Sequence, residues 1–327
     1  MMTNGNRTAG RSLIRAALDI VADYWTILLC RELYIGARQW SHFMAWLRVS
    51  PVTLSIRLKQ IVKAGLVKTT SNSGSAGPTY ELTQKGIDLF PFQMAIREWQ
   101  LRWHPREDAF VTPWLHACGQ PLRCYSVCHV CGVEPKEGTI RLVEREATLY
   151  DTKTSPRYRR LSSRTATDGR SKGLQPPRVV ELWGDRCATI VIAALLRECH
   201  KFDELERWTQ LSPATLAQRL RKLQIMGLVY MRLYQQKPDR FEYHLTPAGW
   251  DFMLPTLQLF RWAERWLAGG SRPFATHLEC GQPLTADLLC KHCNGPVRLD
   301  NTHVDPRVLQ ISDRTDETDL GRSMSLV

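Results

Sequence analysis

The sequence predicts a mainly α-helical protein with small β-hairpins, built from two tandem copies of one module, each followed by a short cysteine knuckle. Three observations carry this prediction: an internal repeat, the same order of helix and hairpin signals in both copies, and a matching cysteine pattern after each copy. The predicted segments are a first module over 1–104, a first cysteine knuckle over 105–150, a basic flexible linker over 151–177, a second module over 178–268, a second cysteine knuckle over 269–305 and a disordered tail over 306–327.

The internal repeat is visible as identities held in register. The segment SPVTLSIRLK, which begins at Ser50, recurs as SPATLAQRLR from Ser212, an offset of 162 positions. Further along, Trp99 recurs as Trp262 at an offset of 163, because the segment in between is one residue longer. So many identities at a nearly constant offset indicate a duplicated unit.

Each copy contains the same helices and hairpin in the same order. Apolar residues at helical spacing, with turn signals between them, predict helices over 13–34, 41–47 and 50–65, a two-stranded hairpin over 66–83 and a final helix over 84–103. In the second copy the same patterns predict helices over 181–198, 202–208 and 212–226, a hairpin over 228–246 and a helix over 247–267. The third helix has the clearest ends, because Ser50 is a good N-cap, Pro51 suits the first helical position and Gly65 suits the C-terminus.

The third helix of each copy is the candidate for reading DNA. In a winged helix-turn-helix unit this helix can enter the major groove while the hairpin, or wing, touches the neighbouring backbone. The basic residues of this helix have no acidic residue among them in either copy. The candidate DNA-binding residues are Ser50, Thr53, Ser55, Arg57, Lys59, Lys63 and Lys68 in the first copy, and Ser212, Thr215, Gln218, Arg219, Arg221, Lys222, Lys237 and Arg240 in the second.

Different roles are expected within this set. Base edges are the expected targets of Thr53, Ser55, Arg57, Thr215, Gln218 and Arg219, and phosphates those of the basic residues beside them. Two alternatives stay open. The basic faces can be ordinary solvated helix surfaces, and Arg57 and Arg219 can instead pair with an acid of the first helix of their copy.

Composition and charge limit the classes of function. The formal net charge of +12 favours a polyanionic partner. No run of about 18 apolar residues predicts a membrane span, and the polar N-terminus lacks a secretory signal, so we expect a cytoplasmic protein. In that compartment the ten cysteines are expected to be thiols or metal ligands. No nucleophile–base set, phosphate loop or pair of catalytic carboxylates stands at a recognisable spacing, which argues against an enzyme.

The first module resembles a known family. ALDIVADYWTILLCREL, WSHF, VSPVTLSIRLKQIVKAGLVK and YELTQKG together resemble the HxlR-type winged helix-turn-helix regulators, a MarR-related bacterial group. The likeness covers 13–103 and, more loosely, 178–266. It implies a dimer formed through the terminal helices, a near-palindromic operator, and repression or activation of a nearby gene. Many members carry a sensing cysteine where this chain has Ser12, so sensing at that position is not expected.

The cysteine knuckles share one pattern. Each begins with CGQPL, at Cys118 and Cys280, and each has a CxxC ten positions further on. Three thiolates and one histidine form a set typical of a closed, structural zinc site. We therefore predict one zinc-ribbon-like site in each knuckle, with the ligands His116, Cys118, Cys128 and Cys131 in the first, and His277, Cys280, Cys290 and Cys293 in the second. Cys124, His129 or His292 could replace a histidine ligand, and free thiols or a metal-less ribbon are the alternatives to zinc.

Taken together, these features predict a sequence-specific regulator that binds double-stranded DNA and places one module on each half-site of an operator. A homodimer and an intramolecular pseudo-dimer are both compatible with the duplication. The alternatives are an adaptor that docks other proteins through its winged helices and zinc ribbons, and a thiol- or metal-responsive sensor.

Overall fold

The computed structural model describes residues 13–47, 49–70, 77–105, 113–143, 182–267 and 275–305. The predicted linker over 151–177, the predicted tail over 306–327 and most of the first wing tip lie outside the described residues. Among the helices in the described ranges, none is long and apolar enough to cross a membrane.

The first module has the predicted order of elements, with two helices divided. Its elements are α1 (Leu13–Val21), α2 (Tyr24–Ile35), α3 (Trp40–Leu47), α4 (Pro51–Lys63), β1 (Val67–Thr70), β2 (Thr79–Leu82), α5 (Gln84–Ile87) and α6 (Phe90–Trp103). The helix predicted over 13–34 is divided because Asp23 is extended and caps α2, accepting a hydrogen bond from the Thr26 amide at 3.1 Å. β1 and β2 pair antiparallel and form the first wing.

The second module repeats this plan with a longer wing. Its elements are α7 (Arg186–Leu195), α8 (Phe202–Thr209), α9 (Pro213–Ile225), β6 (Val229–Gln236), β7 (Asp239–Leu245), α10 (Pro247–Trp250) and α11 (Met253–Leu267). The strands of this wing have 8 and 7 residues, against 4 and 4 in the first wing.

The helices predicted to read DNA, α4 and α9 (the recognition helices), begin where the sequence predicts. Ser50 Oγ accepts a hydrogen bond from the Thr53 amide at 3.2 Å, and Ser212 Oγ accepts one from the Thr215 amide at 3.3 Å. Each cap satisfies a backbone donor that the first helical turn leaves free. On the inward side of α4, Leu54, Leu58 and Ile61 are buried, and on that of α9, Leu216, Leu220 and Leu223 are buried. The opposite side of each helix therefore faces away from its module.

The two modules pack on each other through reciprocal contacts. Helix α11 lies against both α1 and α6. Trp99 Nε1 donates to the Ala248 carbonyl and Trp262 Nε1 donates to the Lys85 carbonyl, both at 2.8 Å. The same exchange recurs one turn later, where Trp103 and Arg102 contact Asp251, and Trp266 and Arg265 contact Asp88. Because each contact has its counterpart 163 positions away, the modules are related by an approximate twofold axis.

The cysteine knuckles are interlaced, and the prediction of two separate knuckles is wrong. The first contributes β3 (Trp114–His116), β4 (Cys124–Cys128) and β5 (Ile140–Leu142), and the second contributes β8 (Ala275–His277), β9 (Gln282–Pro283), β10 (Ala286–Cys290) and β11 (Thr302–Val304). β4 pairs with β10, β3 with β11 and β5 with β8, all antiparallel. At the centre of the β4–β10 pair, Ser126 faces Leu288, its equivalent 162 positions later, so the approximate twofold axis passes between them.

Candidate nucleic-acid interface and metal centres

The outward side of α4 is polar, basic and partly apolar. Ser55, Lys59 and Lys63 are exposed along this side, and Ser50 is exposed at its start. Two apolar side chains that the sequence analysis did not single out stand among them: Val52 is 70% exposed and Ile56 is 44% exposed. Their helical positions fall outside the buried leucine stripe, which is the signal that could have identified them.

The outward side of α9 presents a different set. Gln218 and Arg221 are exposed along it, Ser212 is exposed at its start, and Ile225 is 74% exposed in its last turn. At the tip of the longer wing, Lys237 and Arg240 are also exposed.

Arg57 and Arg219 do not belong to these outward sides, and their prediction as base-reading residues is corrected. Arg57 is only 7% exposed and its Nη1 lies 3.0 Å from Asp23 Oδ1. Arg219 is 8% exposed and its Nε lies 2.9 Å from Asp185 Oδ2. Each arginine therefore pairs with the aspartate that caps α2 or α7, as the alternative interpretation held.

Four other candidate residues already have partners. The hydroxyls of Thr53 and Thr215 lie 2.8 and 2.9 Å from those of the capping serines, and both threonines are half-buried. Lys222 Nζ lies 3.4 Å from Asp185, and Lys68 Nζ lies 3.1 Å from Glu81 in an exposed pair. Of the two lysines, only Lys68 has its ammonium group largely exposed to solvent.

All eight predicted metal ligands lie in two clusters that could hold a metal ion. His116, Cys118, Cys290 and Cys293 form one, and Cys128, Cys131, His277 and Cys280 form the other, with the ligand atoms of each cluster within 4.8 Å of one another. The predicted grouping of the ligands within each knuckle is wrong. Each cluster takes two ligands from the first knuckle and two from the second.

The crossing follows from the strands that carry the ligands. Cys128 ends β4, which is extended and spans about 13 Å from Cys124 at about 3.3 Å per residue. Cys128 is thus far from the start of β4, whereas antiparallel pairing of β4 with β10 sets Cys290 opposite Cys124, at that start. The second CxxC thereby comes to the end of the sheet where the Cys118 turn lies.

The donor atoms fit a tetrahedral ion. Bonds of about 2.3 Å to sulfur and 2.0–2.1 Å to nitrogen place neighbouring S and N ligands about 3.6 Å apart and two S ligands about 3.8 Å apart. His116 Nδ1 lies 3.4 Å from Cys118 Sγ and 3.3 Å from Cys293 Sγ. In the other cluster, His277 Nδ1 lies 3.3 Å from Cys131 Sγ and 3.5 Å from Cys280 Sγ, which is 4.0 Å from Cys128 Sγ.

In each cluster the surroundings lower the pKa of one thiol, whereas at Cys131 and Cys293 the amides of Val133 and Gly295 are outweighed by burial and the neighbouring thiols, which leave the pKa raised. The Gln120 amide and the His116 ring lower the pKa of the Cys118 thiol to about 7. Burial opposes the same effect at Cys128, but the amides of Cys131 and Val130 still lower its pKa. His116 Nε2 lies 3.3 Å from the Pro296 carbonyl, which leaves Nδ1 directed at the thiols. Thiolates are the form of cysteine that binds a metal.

The alternative ligands have other roles. Cys124 is buried, its Sγ lies 3.5 Å from the Met94 carbonyl, and burial raises its pKa strongly. His129 Nδ1 lies 2.7 Å from Asp287 Oδ2. Neither residue belongs to a cluster, so His116 and His277 supply the nitrogen donors.

The helix order, the wings and the outward-facing recognition helices define a DNA-binding winged helix-turn-helix protein. The model of the HxlR-like helix-turn-helix family matches this chain twice, over 20–108 and 182–270, which together exceed half of its length. The chain belongs to this family, and the expected resemblance is confirmed.

The relatives agree with the assignment to transcription regulators. The uncharacterised helix-turn-helix regulator MT3179 of Mycobacterium tuberculosis (strain CDC 1551 / Oshkosh) is 30% identical over 139 residues, which are 42% of this chain and 88% of that protein. The uncharacterised regulator YvaP of Bacillus subtilis (strain 168) is 29% identical over 92 residues, 28% of this chain and 84% of that protein. The crystal structure of PA1607, described as a candidate transcription factor, is 27% identical, covers 39% of this chain and 91% of that one, and has a TM-score of 0.36.

Proposed function

We propose that this protein is a sequence-specific transcriptional regulator whose recognition helices, α4 and α9, enter the major groove at the two half-sites of one operator. The observation that carries this proposal is the exposed cations on the outward sides of both helices, Lys59 and Lys63 on α4 and Arg221 on α9, in two modules related by an approximate twofold axis. A twofold pair of winged helices matches the inverted half-sites of duplex DNA. One chain supplies both modules, so an intramolecular pseudo-dimer is sufficient.

The proposed roles follow from exposure and chemistry. Lys59, Lys63 and Arg221 contact phosphates, since they are exposed cations on the outward sides. Ser55 and Gln218 contact base edges. Lys237 and Arg240 contact the backbone from the wing, and Lys68 does so at the base of the other wing.

The salt dependence of DNA affinity tests these roles. Binding of the full chain to genomic duplex fragments, measured by fluorescence anisotropy, is expected to weaken steeply as salt rises, because each neutralised phosphate releases counterions. Lys59→Ala and Arg221→Ala are each expected to weaken binding at low salt and to reduce the slope of log affinity against log salt by about 0.9.

Lys136→Ala is the matched control, because Lys136 is an exposed cation of the first knuckle, away from both recognition helices. We expect its slope to equal that of the unaltered chain. Equal slopes for all three variants would contradict the assignment of α4 and α9 to the interface.

We further propose that each crossed Cys3His cluster holds one zinc ion in a structural role. Zinc favours sulfur and nitrogen donors in a tetrahedral arrangement, and four protein ligands leave no open position for a substrate. When bound, zinc would link the two knuckles. The chain's own contribution is to hold thiolates and Nδ1 atoms at matching distances.

Paired cysteine variants distinguish crossed sites from sites within each knuckle. Cys118→Ser with Cys293→Ser removes two ligands of one crossed cluster, so one zinc ion per chain is expected to remain. Cys118→Ser with Cys131→Ser removes one ligand from each crossed cluster, so both sites are expected to be weakened. Zinc per chain is measured by inductively coupled plasma mass spectrometry after dialysis against a weak chelator.

The opposite pattern would contradict crossed coordination. If each knuckle held its own ion, the Cys118 and Cys131 pair would spare one site and the Cys118 and Cys293 pair would damage two. Cys30→Ser is the matched control, because Cys30 is buried in α2 and outside both clusters. A zinc content near zero in the unaltered chain would contradict the zinc proposal itself.

A further inference from the structure

The two recognition helices keep the same inward residues and differ on their outward sides. At an offset of 162, α4 and α9 share the buried pairs Leu54 and Leu216, Arg57 and Arg219, and Leu58 and Leu220. The exposed positions differ, in the pairs Val52 and Ala214, Ser55 and Ala217, Ile56 and Gln218, Lys59 and Arg221, and Lys63 and Ile225. The buried exchange of Ile61 for Leu223 keeps an apolar side chain, whereas most of these five exchanges change the chemistry of the side that meets DNA in the proposed function.

The sharpest difference is between Ile56 and Gln218. Ile56 is 44% exposed and offers only apolar contact, which suits the methyl group of thymine. Gln218 is exposed and carries an amide, which can bind the N6 and N7 edge of adenine with two hydrogen bonds. Its Oε1 accepts a hydrogen bond from Arg219 at 3.1 Å, and a second lone pair of this oxygen stays available for adenine N6.

A second difference lies in the last turn of each helix. Lys63 is an exposed cation in α4, whereas its equivalent in α9, Ile225, is an exposed apolar side chain. A phosphate contact at this place is therefore available in the first module and not from this position of the second.

In a dimer of identical chains, symmetry places the same recognition helix on both half-sites and favours a palindromic operator. Here the two recognition helices, α4 and α9, belong to one chain and are related by the approximate twofold axis, as the reciprocal tryptophan contacts indicate. No symmetry requires the two half-sites to have the same sequence.

We infer that the operator consists of two inverted half-sites of unlike sequence. The half-site of α9 has adenine opposite Gln218, and the half-site of α4 has a thymine methyl against Ile56. This inference rests on the proposed function, and it replaces the near-palindromic operator that the family resemblance implies.

Selection from a random duplex pool tests this inference. The full chain, with zinc present, is used to enrich duplexes that are then sequenced. The expected motif has two half-sites that differ from each other, and adenine at the Gln218 position is preferred over other bases by roughly 5- to 150-fold. Ile56→Gln is expected to bring adenine into the corresponding position of the other half-site and make the motif more symmetric. Gln218→Ile is expected to remove the adenine preference.

Val133→Gln is the matched control, since Val133 is an exposed apolar residue of the first knuckle and is 41% exposed. It is expected to leave the motif unchanged. A palindrome with equal half-sites, or a motif with one half-site only, would overturn the inference while leaving DNA binding intact. The absence of any enriched duplex would overturn the proposed function and this inference with it.

Discussion

At the scale of single residues, Arg57 and Arg219 show that an arginine on a recognition helix can stabilise the fold and not contact DNA. Arg57 lies between Leu54 and Leu58 in sequence, so its spacing places it beside the buried leucines while its charge favours the surface. The structure buries it against Asp23, which also caps α2. Arg57 thus holds α4 against the start of α2, and Lys59, two residues later, faces outward.

Arg57→Ala is expected to lower the free energy of unfolding by roughly 1.5–3 kcal/mol, because a charged hydrogen-bonded group is removed from a buried pair. Lys59→Ala, two residues away, is expected to change it by no more than about 0.5 kcal/mol. Urea unfolding followed by circular dichroism measures both. An unchanged midpoint for Arg57→Ala would show that the arginine is not part of the core.

At the scale of elements, each wing is held against the helix that follows it by a close backbone approach. A Cβ added to Gly86 would lie 2.2 Å from the Leu66 carbonyl oxygen, and a Cβ added to Gly249 would lie 2.2 Å from the Leu228 carbonyl oxygen. The Tyr34 hydroxyl also donates to the Gly86 carbonyl at 2.7 Å. The absence of a side chain at these two positions lets α5 and α10 approach the residue just before the first strand of each wing.

Gly86→Ala is therefore expected to destabilise the first module by about 1–3 kcal/mol, the usual cost of forcing extra atoms into a packed site. Gly77→Ala provides the comparison, since a Cβ there would meet no atom within 4 Å. Thermal unfolding of the two variants should separate them by several degrees. Equal melting temperatures would mean that the wing moves aside at no cost.

At the scale of the whole molecule, one chain forms an arrangement that usually requires two. The two tryptophan contacts, the β4 and β10 strands and the two Cys3His clusters are each pairs related by one approximate twofold axis. Two kinds of contact, helix packing between the modules and strand pairing between the knuckles, therefore hold the recognition helices in one relative orientation.

We expect one chain, not two, on each selected operator duplex. Native mass spectrometry of the complex at low protein concentration should give the mass of one 37.6 kDa chain plus the duplex. A separate binding measurement on a duplex carrying only one half-site should show weaker affinity, because only one module then contacts bases. A complex of two chains at every concentration would show that the operator requires four modules.

The sequence by itself determined the duplication, the order of the helices and wings, the caps at Ser50 and Ser212, and the eight residues that form the two Cys3His clusters. These features depend on local spacing and backbone chemistry, which a short stretch of chain carries within itself. The eight ligands were predicted in the wrong groups of four. Whether Arg57 and Arg219 contact DNA or belong to the core was left open.

Only the tertiary structure decided those questions, because both depend on contacts between segments far apart in the chain. The spacing from Cys118 to Cys128 equals that from Cys280 to Cys290, so it fits a site within each knuckle as well as one between them. The choice was made when β4 paired antiparallel with β10 across the twofold axis, which carried each CxxC to the turn of the other repeat. Ligands 146 to 177 positions apart can come together in this way only after the two modules have packed together.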